Sequence, residues 1–167
     1  MNIVISDTTA LIILAKSDKL VLLSNLFEKV FIPQAVENEL NFKDDIVKYR
    51  VKKFDKIEVK NISDTKTLNR IKKLNIDKGE IEAITLAIEL ELKLIIDERK
   101  GRIIAINQGL EVVGVLGILV ENYRQDYISF EEAHYYFNLF KKSGLRVSNK
   151  LEEIIIRKLH DVKVGNF

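Results

Sequence analysis

The chain has no cysteine and no tryptophan, and only one proline and seven glycines in 167 residues. Without thiols there is no disulfide, no cysteine nucleophile and no thiolate-bound zinc, and a reducing cytosol is the natural compartment. No apolar run approaches the roughly 20 residues a membrane helix needs. The apolar start is broken by Asp7 and has no basic leader before it, so a signal peptide is not expected either. Excess charge of one sign is also missing. Lys and Arg number 27 against 25 Asp and Glu, a net charge of +2, so the whole-molecule field does not argue for nucleic acid and only local clusters can. With 47% hydrophobic residues, few helix breakers and no repeat or low-complexity tract, one ordered domain over 1–167 is expected. Its core covers about 2–120 and a helical extension about 121–167.

The most informative feature present is a repeated device. Ile3-Val4-Ile5-Ser6 runs into Asp7, and Leu94-Ile95-Ile96 runs into Asp97; each is followed by a helical pattern. Unbroken apolar runs suit strands covered on both faces, as in a parallel sheet flanked by helices. Ligands of such sheets sit beyond the carboxyl ends of the strands. If these two strands are neighbours, Asp7 and Asp97 meet at that edge and form the beginnings of a divalent-cation site.

Between them the pattern alternates strand and helix. Thr9 to about Lys16 reads as a short helix, with Thr9 a possible cap, and Asp18 as the cap of a second one carrying Leu20 to Phe27. Val30-Phe31-Ile32 is a strand, and Pro33 starts a short helix over Gln34–Leu40 with Glu37 and Glu39. A helix over about 45–54, a strand at Ile57–Val59 and a helix opening near Ser63 or Asp64 follow. The clearest helix is Lys78–Leu90, capped by Asp77. After the Asp97 strand come a helix over Arg99–Asn107, a strand at Glu111–Val113 and a helix from about Leu116. This order predicts an α/β, three-layer fold with a mostly parallel central sheet flanked by helices, plus C-terminal helices. Ser129 with Glu132 makes a capping box for the first tail helix, and Asn149 with Glu152 starts the last.

The residues alone leave roles open. Asp7 and Asp97 suit helix N-caps as well as cation ligands. Glu80 falls three residues after Asp77, where a capping-box glutamate belongs. Glu37 and Glu39 read as solvent-facing charges, and His134 and His160 as packing or surface residues. Lys52-Lys53, Arg70 with Lys72-Lys73, and Lys141-Lys142 read as solvated helix faces. Arg99, Lys100 and Arg102 differ because they follow the Asp97 strand directly, which makes them candidates for phosphate contacts. No glycine-rich loop of nucleotide-binding spacing occurs, and the partner residues of a phosphoaspartate site are missing.

The opening Val4-Ile5-Ser6-Asp7-Thr8-Thr9-Ala10-Leu11-Ile12 resembles that of PIN-domain nucleases. Val30-Phe31-Ile32-Pro33 with Val36 and Glu39-Leu40 is similar to the family's second strand and acidic helix. Gly79-Glu80-Ile81-Glu82-Ala83-Ile84, Leu94-Ile95-Ile96-Asp97-Glu98-Arg99 with Arg102, and Val113-Gly114-Val115-Leu116-Gly117 resemble a branch of small prokaryotic PIN proteins. The resemblance implies a metal-dependent ribonuclease, often the toxin of a toxin-antitoxin pair of the VapC type. Asp7, Glu39, Glu80 and Asp97 would be its acidic quartet, with Mg²⁺ or Mn²⁺ held by Asp7, Glu80, Asp97 and Glu98. Thr9 would be a polar neighbour of the first aspartate. Two departures stand out: the third acidic position is more usually Asp, and Asp-Asp often stands where this chain has Asp97-Glu98. Expected partners are an RNA substrate, a cognate antitoxin and a second copy paired through the apolar helices at Leu20–Phe27 and Ile154–Leu159. The alternative is a module of the same fold that binds RNA or a partner protein without cutting it.

Overall fold

The computed structural model describes residues 2–164, so residues 1 and 165–167 of the expected domain lie outside the described region. The first half is built as β1 (Ile3–Ser6), α1 (Thr8–Lys16), α2 (Val21–Leu26), β2 (Lys29–Ile32), α3 (Gln34–Asn41), α4 (Asp45–Lys53) and β3 (Ile57–Val59). α5 (Thr65–Ile71), a 3₁₀ turn at Lys72–Leu74, α6 (Lys78–Leu90), β4 (Leu94–Ile95), α7 (Arg99–Asn107), β5 (Val112–Val113), α8 (Val115–Arg124), α9 (Phe130–Lys142) and α10 (Asn149–Val164) complete it.

All five strands are parallel, in the order β3-β2-β1-β4-β5. β1 pairs with β4 through Ile5 opposite Leu94 and Ser6 opposite Ile95. Successive strand residues point to opposite faces, so each strand feeds two cores. Val4, Val30, Ile32 and Ile95 pack under helices α1–α4 and the tail helices, which contribute Phe137, Phe140, Ile155 and Leu159. Ile5, Phe31, Leu94 and Ile96 pack under α5, α6 and α7. The chain adds strands outward from β1 on one side, then crosses to the other side through α5 and α6. The switch lies between β1 and β4, where an open parallel sheet leaves a crevice at its carboxyl edge.

Of the two caps open for α1, Asp7 rather than Thr9 serves. Two other expected caps are different in the structure. Asp18 does not cap α2: it takes a left-handed turn at φ 55 and its carboxylate lies 3.5 Å from Arg50. Ser148, not Asn149, caps the last helix, its hydroxyl accepting from the Leu151 amide at 3.2 Å. The capping boxes at Asp77/Glu80 and Ser129/Glu132 form as the spacing predicts. His134 and His160 both pack on the Phe130 ring, at 4.7 and 5.1 Å between centroids.

Candidate active site

Asp7 leaves β1 with its amide bonded to the Ile95 carbonyl of β4 at 3.0 Å, so the sheet itself sets its backbone. Its side chain turns into the switch-point crevice, and one carboxylate oxygen accepts from the Ala10 amide at 3.2 Å. The residue is only 2% exposed. Burial pushes its pKa from 3.8 up to about 8; the Ala10 bond opposes this, and the charges of Asp97 and Glu80 reinforce it.

Asp97 follows β4 and is held by the Val115 amide at the start of α8, 3.0 Å from Oδ2 and 3.3 Å from Oδ1. Burial raises its pKa, against the Val115 bond and the nearby Arg102 guanidinium. Arg102 also donates to the Ile96 carbonyl at 2.7 Å, and so braces the strand end from which Asp97 projects.

Glu80 serves two ends at once. One oxygen accepts from the Asp77 amide at 3.2 Å, completing the capping box, and the other is buried with no partner among the described residues. Burial raises its pKa too, and the charges of Asp77, Glu98 and Glu39 add to that. Glu82, two residues on, faces elsewhere: it accepts from the Ala35 amide at 2.8 Å and thereby caps α3, whose own N-cap is Pro33 and has no side-chain acceptor. That distinction follows from helical geometry, in which neighbours two apart do not share a face.

A small cavity of about 110 Å³ is lined by Asp7, Thr8, Thr9, Glu39, Asp77, Glu80 and Glu98. A larger one of about 740 Å³ shares Thr9 and Glu98 with it and adds Asp97, Arg99, Arg102, Arg146 and Lys158 over an apolar floor that includes Ile13, Ile103 and Ile155. The structure therefore brings Asp7, Glu39, Glu80 and Glu98 to one cavity and places Asp97 on the adjoining wall. Lys100 lines neither; its Nζ donates to the Asn75 carbonyl at 2.7 Å. Sequence reasoning missed Asp77 as a wall of the site, because its capping role accounted for it fully. It also missed Arg146 and Lys158, which reach the crevice only through the folding of the tail.

The arrangement suits a hard cation. Its donors are all oxygens, and a buried carboxylate oxygen of Glu80 awaits a partner. Among the described residues no three acidic or imidazole groups already stand in the close array of a formed cation site. Asp7, Glu80 and Asp97 each instead accept from a backbone amide at a helix start, and of the three only Glu80 has a second oxygen both buried and unpartnered among the described residues.

Acidic side chains gathered at the switch point of an all-parallel five-stranded sheet, with helices on both faces, define a PIN-like, nuclease-type fold. The family model described as a PIN domain matches residues 3–161, and the chain belongs to that family. Among solved structures it is similar to a PilT N-terminus domain protein from the hyperthermophilic archaeon Sulfolobus solfataricus P2. The two are 18% identical over 88% of this chain and 98% of the other, with a TM-score of 0.45. A comparison with curated proteins finds no match. Among the described residues no helix is long and apolar enough to cross a membrane.

Proposed function

We propose that this PIN-domain protein is a metal-dependent endoribonuclease acting at the β1/β4 switch point. The observation that carries the reading is the burial of Asp7 and Glu80 there, with a Glu80 oxygen left unpartnered. Such crowding of acids is unfavourable for the chain alone, and a bound cation relieves it. Asp7, Glu80 and Asp97, with Glu98 at the rim, would hold Mg²⁺ or Mn²⁺. When bound, the ion supplies Lewis acidity toward a phosphodiester and an activated water. Glu39 and Thr9 line the same cavity and are suited to orient water and substrate. Arg99 and Arg102, joined by Arg146 and Lys158, give the larger cavity the positive lining that a phosphate backbone requires. Lys100 lies outside both cavities with its Nζ on the Asn75 carbonyl, and would meet a phosphate only beyond their rim.

Cleavage of a varied RNA panel in Mn²⁺, abolished by chelator, is the expected result. Within it, Glu80→Gln should lose activity while Glu82→Gln keeps most of it, because the glutamine amide oxygen can still accept from Ala35. The reverse order would move the acidic position to Glu82 and refute the assignment of Glu80.

The biological role we propose is that of the toxin in a toxin-antitoxin pair, with an antitoxin protein as partner and a homodimer as the working state. Leu20, Leu22, Leu23 and Phe27 are buried in the subunit's own core, as are Ile155 and Leu159, so they are not available for pairing. Pairing would rest on what remains, Val21 at 56% exposure and Leu151 and Ile154 at 38% each. Light scattering at micromolar concentration should give twice the 19.3 kDa chain mass; a clean monomer would remove the dimer.

A further inference from the structure

We infer that Gly79, Gly101 and Gly114 are positioning residues of the acidic cluster, each leaving the space into which one carboxylate is laid: Glu39, Glu80 and Asp97 respectively. The inference rests on the reading of those acids as a cation site. A Cβ at Gly79 would stand 2.5 Å from Glu39 Oε1; one at Gly101, 2.6 Å from Glu80 Oε1 and as close to Ile96 Cδ1; one at Gly114, 2.5 Å from Asp97 Oδ1. All three separations are below any that real Cβ atoms tolerate. None of the three glycines has a positive φ, so backbone freedom does not explain them. Gly79 and Gly101 lie in the first turns of α6 and α7, where glycine weakens a helix relative to alanine.

What the missing side chains permit is close approach. Glu39, near the end of α3, lies across the first turn of α6. Glu80, from α6, lies across the first turn of α7. Asp97 lies at the cap of α8 and is bonded to Val115. Asp7 caps α1 in the same way. Four carboxylates thus rest on the amide-rich, partially positive starts of four helices. That placement offsets part of their mutual repulsion while keeping them at one edge. Gly117 provides the contrast: a Cβ there would come equally close, at 2.6 Å, but to the apolar Val113 Cγ2 and to no acid.

The test is Gly79→Ala. The atoms it displaces are the far end of the flexible Glu39 side chain, so the protein should stay cooperatively folded. Because Glu39 orients water and substrate, Mn²⁺-dependent RNA cleavage should fall at least about tenfold, the size of effect typical of residues that support a metal site, with Gly117→Ala unchanged. A metal-free thermal cycle gives an independent readout. In a Glu39→Ala background, Gly79→Ala should raise the melting temperature by about 2–4 °C, the gain of alanine over glycine in a helix. With Glu39 intact, that gain should vanish or reverse. Equal gains in both backgrounds would overturn the inference. If the wild type binds no Mn²⁺ at all, the cation-site reading fails, and the thermal cycle still decides the glycine. Should Gly79→Ala fail to fold, the cycle at Gly114 decides: Gly114→Ala should lower the metal-free melting temperature with Asp97 intact and clearly less in an Asp97→Ala background, and equal losses would overturn the inference.

Discussion

Asp7→Asn should abolish RNA cleavage and at the same time raise the melting temperature of the metal-free protein. The asparagine oxygen can keep the Ala10 bond, since Asn caps helices as well as Asp does, and the substitution adds no volume, so the fold around α1 is preserved. What disappears is a carboxylate that burial and two neighbouring acids hold at a pKa of about 8. At neutral pH that group draws on folding stability by an amount on the order of a few kcal/mol. At about 2–4 °C per kcal/mol for a chain of this size, the gain should be several degrees. The loss in activity should exceed the roughly 10–100-fold typical of residues that only support a metal ligand. Calorimetry and a cleavage assay on one preparation measure both effects. An Asp7→Asn protein that still cuts RNA at near wild-type rate would remove Asp7 from the site, and one that melts lower would refute the account of its burial.

The metal-free protein should also lose stability as pH rises from about 4 to about 8. Asp7 is raised above its ordinary value of 3.8, and Glu80 and Asp97 shift in the same direction. At these three sites the folded state therefore binds more protons than the unfolded one, whereas the partly exposed Glu58, Asp64 and Glu121, shifted down by their hydrogen bonds, act the other way only at the acid end of the range. The stability the three raised groups contribute is fully present below their unfolded pKa values and disappears as pH climbs through the folded ones. One such group gives at most about 1.4 kcal/mol per pH unit, or about 3–6 °C per unit. Mn²⁺ requires deprotonated ligands, so the melting curves with and without it should diverge toward high pH. Asp7→Asn should flatten the metal-free slope. A metal-free slope identical in wild type and Asp7→Asn would contradict the upward shift of Asp7.

The strands and the meeting of Asp7 with Asp97 were legible because both rest on local patterns, an apolar run ending in an acid. The sheet then needed only β1 and β4 to be neighbours. Glu80 was ambiguous in sequence because capping and ligation call for the same residue at the same place. In the structure one oxygen does the first, and the other is buried without a partner among the described residues. What pattern could not show is contact between distant segments. Glu82 caps α3 from 47 residues away, and the glycines that receive Glu39, Glu80 and Asp97 look like ordinary helix positions. The apolar surplus in Leu20–Phe27 suggested pairing of two copies, yet α8 covers that helix within the subunit. The cover is fastened by Asn122, which is fully buried and bonded to Asn25 at 2.7 Å and to the Leu22 carbonyl at 3.0 Å. Lys100 sits in the same basic cluster as Arg99 and Arg102, yet it lies outside the cavity that those two line and is bonded to Asn75 instead.

The most direct measurement is RNA cleavage by wild type and Asp97→Asn, purified side by side, across a Mn²⁺ titration. Asp97 is held in place by Val115 at the helix start, and asparagine can keep one of those bonds, so the variant should fold normally. A wild-type rate that rises with Mn²⁺ to saturation, against a flat line for the variant, is the predicted result. Equal cleavage by both proteins, or none by the wild type at any metal concentration across a broad RNA panel, would contradict a metal-dependent ribonuclease centred on these carboxylates.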